Sequence, residues 1–71
     1  MSEGLLTEVR GELRFRVDGA RLREMRESRG LSLRAFAARC GWGFSYAAKI
    51  ERGEVQTLSA AAAVAIQEAL R

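Results

Sequence analysis

Gly30, Gly41 and Gly53 each follow a run of helix-patterned residues, and the chain has no proline. A glycine just past the last apolar position of such a run is a common helix terminator, because it enters the left-handed region without steric cost. The runs they bound cannot merge, so the chain must fold as short helices separated by tight turns. No apolar run approaches the roughly 20 residues that cross a bilayer.

The first helix is predicted over Ala20 to Arg29, with Asp18 as N-cap and with Leu22 and Met25 facing inward. Ser32 caps a second, whose Leu33, Phe36, Ala37 and Cys40 fall at i, i+3, i+4 and i+7 on one face. A third runs from Phe44 to Arg52. Its inner side carries Ala47, Ile50 and Glu51, and its outer stripe carries Ser45, Ala48, Lys49 and Arg52. The fourth, Leu58 to Leu70 with Thr57 or Ser59 as cap, is apolar almost all round and is expected to be covered on more than one side.

Before the helices, Glu8 to Val17 alternates Val9, Gly11, Leu13, Phe15 and Val17 against Glu8, Arg10, Glu12, Arg14 and Arg16. That period of two is a strand pattern. With a turn at Gly11 it gives a hairpin of Leu5 to Val9 against Glu12 to Val17; otherwise the strand pairs with its equivalent in a second subunit. The expected organisation is an N-terminal β arm over 1–18 and a helical domain over 19–71.

Seventy-one residues allow one small core. There is no histidine and one cysteine, so neither a Cys/His zinc site nor an internal disulfide can form, and no metal or cofactor is expected. Cys40 lies on an apolar helix face with no histidine to activate it, and no carboxylate pair has an acid/base arrangement, so no enzymatic activity is expected. The stretch GWGFSYAAK matches neither glycine-rich phosphate motif, since Tyr46 stands where GxGxxG needs its last glycine. MSEGLLTE lacks the basic start of a secretion signal, and a cytoplasmic location is expected. Twelve basic against nine acidic residues give a charge of +3, with the positive excess mid-chain: Arg34, Arg39, Lys49 and Arg52 against Glu51.

Two short helices joined by a glycine-containing turn, the second with a basic outer stripe, form the unit that sets a helix in the DNA major groove. The stretch LREMRESRGLSLRAFAARCGWGFSYAAKIERG, Leu22 to Gly53, resembles the lambda-repressor-like, Cro-repressor-type helix-turn-helix family, often labelled XRE. The likeness extends over Arg21 to Leu70. It implies a mainly α, four-helix domain, here preceded by a short β-hairpin or strand. Helix three becomes the recognition helix, with Phe44, Ser45 and Lys49 reading bases: Lys49 suits guanine, Ser45 several base edges and Phe44 a thymine methyl. Arg34, Arg39, Tyr46 and Arg52 are expected on phosphates. The resemblance also implies a partly buried ion pair between Arg26 and Glu51. Departures are Leu33 for the family's usual Gln, Gly43 for a Ser or Thr cap, and Trp42 for a smaller aliphatic; no fifth helix is expected.

The function expected on these grounds is a sequence-specific double-stranded DNA-binding transcriptional regulator, a repressor, acting as a homodimer through helix four, where Val64 shares a side with Gln67, Glu68 and Arg71. The alternative is an antitoxin-like or RNA polymerase-binding interaction module with secondary DNA binding, which takes its protein partner through the N-terminal arm.

Overall fold

A computed structural model describes residues 4–71, so the first three residues of the arm expected over 1–18 lie outside the described residues. The elements in order are β1 (Leu6–Glu8), β2 (Arg14–Val17), α1 (Gly19–Ser28), α2 (Leu33–Cys40), α3 (Phe44–Glu51), β3 (Thr57–Ser59) and α4 (Ala60–Ala69). Four helices preceded by an antiparallel strand pair match the predicted class.

Side-chain caps set three of the helix starts. Asp18 accepts from the Arg21 N–H, Ser32 from that of Ala35 and Ser59 from that of Ala62. The first three helices end alike. In α2 the Gly41 N–H reaches the Ala38 carbonyl at 3.1 Å and the Trp42 N–H the Ala37 carbonyl at 2.9 Å. The same pair of bonds closes α1 through Gly30 and Leu31, and α3 through Gly53 and Glu54.

The arm is a hairpin in which Leu6, Thr7 and Glu8 face Val17, Arg16 and Phe15. Its turn spans Val9 to Glu12, closed by the Glu12 N–H on the Val9 carbonyl at 3.1 Å. The strands are therefore shorter than the alternation suggests. Leu13 falls in the connection, not on the inner face, and is 88% exposed. Phe15 is half-buried, Val17 buried, and Leu5 wholly buried.

One element was not predicted. β3 pairs antiparallel with the free side of β2, Phe15 opposite Leu58, to complete a sheet ordered β1-β2-β3. Leu58 is thus a buried strand residue and α4 starts two residues later than expected, with Ser59 as its cap. Both sides of β2 are occupied, so intermolecular pairing of that strand has no edge to use.

Every helix and the sheet contribute to one core, whose largest fully buried members are Phe36, Leu5, Leu22, Ile50, Leu58 and Ile66. Helix α4 buries Ala63, Ile66 and Ala69 but leaves Ala60, Ala61 and Val64 exposed. Both α2 and the sheet pack on it, with Ala62 and Ala65 half-buried beside the buried stripe, and only its outer side is left open. Among the described residues no helix is long and apolar enough to cross a membrane.

Candidate nucleic-acid interface

The three residues Gly41 to Gly43 turn the chain from α2 into α3. Gly41 takes φ 76°, a conformation costing a residue with a Cβ about 1–2 kcal/mol. Ala37 and Ala47, both buried, sit where α2 and α3 pack, and small side chains there allow close approach. Trp42 is half-buried and links the helices: its ring stands edge-on to Phe36 at 6.2 Å and to Tyr46 at 5.0 Å.

The far end of α3 is held by Arg26. Its Nε and Nη2 donate to the two Glu51 carboxylate oxygens at 2.7 and 3.0 Å, and Nη1 donates to the Leu31 carbonyl at 2.7 Å. One guanidinium thereby joins α1, the α1–α2 turn and α3. Both side chains are nearly excluded from solvent, and the bond to Glu51 raises the Arg26 pKa further above its ordinary value. Close by, α1 begins against the end of α3 at Gly19, where a Cβ would lie 2.3 Å from the Ile50 carbonyl oxygen.

With its end fixed, α3 turns Phe44, Ser45, Lys49 and Arg52 outward, all exposed. Gly43 starts the helix in extended backbone and offers no side-chain acceptor. Arg34, from the first turn of α2, lies with its guanidinium carbon 4.8 Å from the Phe44 ring centroid. Leu33 is half-buried and packs against the core. Between α1, α2 and α3 runs an open groove of about 300 Å³, lined in part by Arg23, Leu33, Phe44, Ala48 and Arg52.

The expected phosphate ligands divide. Arg34 forms no ion pair among the described residues, and neither does the expected base reader Lys49, whereas Arg52 binds Glu54 at 2.7 Å. That bond, with the charge behind it, lowers the Glu54 pKa. Tyr46 is 37% exposed, its ring against Trp42. Arg39 is not brought to Arg34 and Phe44: one N–H donates to the Ala69 carbonyl at 3.3 Å, at the end of α4. Burial pushes the Cys40 thiol up to about 11, and its sulfur lies 3.7 Å from the Ala65 carbonyl.

Two contacts had no sequence signal. The Arg34–Phe44 stack joins residues on different helices, and Arg29 donates to the Leu70 carbonyl across 41 residues.

A tight turn between two packed helices, the second with its polar and cationic side outward, defines a helix-turn-helix domain. A family described as "Helix-turn-helix domain" matches residues 19–71, and the chain belongs to that family, within its lambda-repressor-like group. Such domains are DNA-binding regulators in general and typically non-enzymatic. No curated protein and no solved structure matches the chain.

Proposed function

We propose that the protein is a sequence-specific double-stranded DNA-binding transcriptional repressor that reads the major groove with α3. The observation that carries this reading is the outward face of α3: Ser45 and Lys49 stand exposed on a helix fixed at its end by the buried Arg26–Glu51 pair, with Arg34, which has no carboxylate partner among the described residues, over the ring of Phe44. Phe44, Ser45 and Lys49 contact bases. Arg34, Tyr46 and Arg52 hold phosphates, and Arg39 adds charge from the end of α2. Two copies bind a twofold site, each offering one recognition helix; the exposed Val64, Ala60 and Ala61 of α4 supply the contact between them.

A gel shift against random-sequence duplex over a salt series tests this. Lys49→Ala is expected to cost about 1–3 kcal/mol on an enriched sequence and to relax discrimination there. Unchanged footprint and affinity in that variant would reject α3 as the reading face. A monomer by sedimentation, both free and on DNA, would reject the dimer.

The protein-interaction reading draws support from Leu13, 88% exposed at the hairpin tip, which offers an apolar anchor to a partner. It becomes the better account if the chain shows no preference among duplex sequences.

A further inference from the structure

The exposed part of the first two turns of α3 is short of hydrogen-bonding readers. It presents Phe44, Ser45, Tyr46 and Lys49, with Ala48 half-buried among them; the Tyr46 ring is held against Trp42, and there is no Asn or Gln to pair with adenine and no Arg to pair with guanine. Apolar surface is better represented. Phe44, 46% exposed, joins Leu33 and Ala48 along the groove beside α3. The groove is not a built anion pocket, because the two exposed arginines on its rim are already matched: Arg23 by Glu27 at 3.1 Å and Arg52 by Glu54 at 2.7 Å.

Arg34 differs from both. It has no carboxylate partner among the described residues, and its guanidinium stacks on Phe44 instead. A guanidinium lying over a ring keeps N–H groups at its edge free for phosphate oxygens. Phosphate contact and ring position are thereby coupled in one pair of side chains.

Only one base carries an apolar group on its major-groove edge. The thymine C5-methyl projects on the side of the groove nearest its own strand's backbone, so an aromatic ring tied to a phosphate-gripping cation meets it there. Cytosine offers the same ring shape without the methyl and would leave the Phe44 surface uncovered.

We infer that Arg34 and Phe44 act as one unit that selects thymines by their methyl groups, Phe44 as the specificity-determining contact and Arg34 as the residue positioning its ring. This rests on the reading of α3 as the recognition helix.

The test uses the full chain and duplexes it enriches from a random-sequence pool, with each thymine replaced in turn by deoxyuridine. That change removes one methyl and keeps every hydrogen-bonding group. At one or more positions in each half-site the replacement should weaken binding about fourfold, the value of burying one methyl group. Phe44→Ala should erase the difference between thymine and deoxyuridine at those positions without lowering the melting temperature. Arg34→Gln should shrink the difference and also shallow the salt dependence. Arg34→Lys should restore the salt dependence but not the full difference, since a lysine lacks the planar stack.

Equal affinity for thymine and deoxyuridine at every position of a specifically bound duplex would overturn the inference and leave the DNA-binding reading intact. So would a difference that survives Phe44→Ala. Failure to enrich any sequence would overturn both.

Discussion

Helices α1, α2 and α3 close their last carbonyls with residues beside them, whereas carbonyls at the end of α4 are met by residues far away as well. Each of the first three ends in a glycine turn that returns two N–H groups to its own last carbonyls. At the end of α4 there is no glycine; the Ala69 carbonyl accepts from Arg39 and the Leu70 carbonyl from Arg29, 30 and 41 residues earlier in the chain. The cationic side chains also suit the negative end of that helix. The contrast shows that arginine content is a poor measure of nucleic-acid contact. Arg26, Arg29 and Arg39 spend donors inside the protein, and Arg34 is the arginine of the α2–α3 unit that does not.

The largest effect should come where a self-terminated helix also depends on a remote residue. Glu51→Gln leaves the buried Arg26 guanidinium without its counter-charge and should cost about 3–5 kcal/mol, a large part of a small domain's stability. A urea midpoint near the parent's would show that the glycine turn alone holds α3.

Gly41→Ala should follow, destabilising by about 1–2 kcal/mol through the positive φ, again read from the midpoint. Arg29→Ala should cost about 1 kcal/mol, because it removes hydrogen bonds that are partly exposed. Hydrogen exchange should localise that loss to the last turn of α4, with α2 and α3 unaffected. If instead all four helices lose protection equally, remote and local termination are not separable in this fold.

Glu54→Gln should have the smallest effect on folding and a visible one on DNA. It frees Arg52, so the slope of log affinity against log salt should steepen by about one, and it should do nothing in an Arg52→Ala background. The pH dependence has a definite sign. Because the Glu54 pKa is lowered in the folded protein, its contribution is present above the ordinary glutamate range and is lost as pH falls through the depressed value. An NMR titration of Glu54 should move back toward the ordinary value in Arg52→Ala.

What was legible in the sequence follows the same division. The α1–α3 boundaries were readable within a residue or so, since Asp18, Ser32, Gly30, Gly41 and Gly53 act on their own neighbours. Leu13 was misplaced because alternation continues through a turn as readily as through a strand. The strand Thr57–Ser59 was missed for a physical reason: three residues with an adjacent helix cap carry no period of their own, and β2 supplies what makes them a strand. Gly19 gave no hint of its close approach to the Ile50 carbonyl, which only the packing of α1 on α3 creates. At the interface the outward stripe of α3 was visible in the spacing of Ser45, Lys49 and Arg52. The commitment of Arg39 to α4 was not, because a lone arginine on a helix surface looks the same whichever way it turns.

The pairing of β2 with β3 has a kinetic consequence. Arg14 and Thr57, bonded side chain to side chain at 3.0 Å, lie 43 residues apart, and α1 to α3 fill the interval. Local contacts form early and distant ones wait on the closure of the loop between them, so β3 is expected to join the β1–β2 hairpin last, onto helices already assembled. Leu58→Ala should then speed unfolding while leaving the refolding rate nearly unchanged in a stopped-flow experiment. On that order of events the helix-turn-helix takes shape before the sheet closes, and the strand following α3 acts as a latch that lengthens the lifetime of the folded state more than it hastens its arrival.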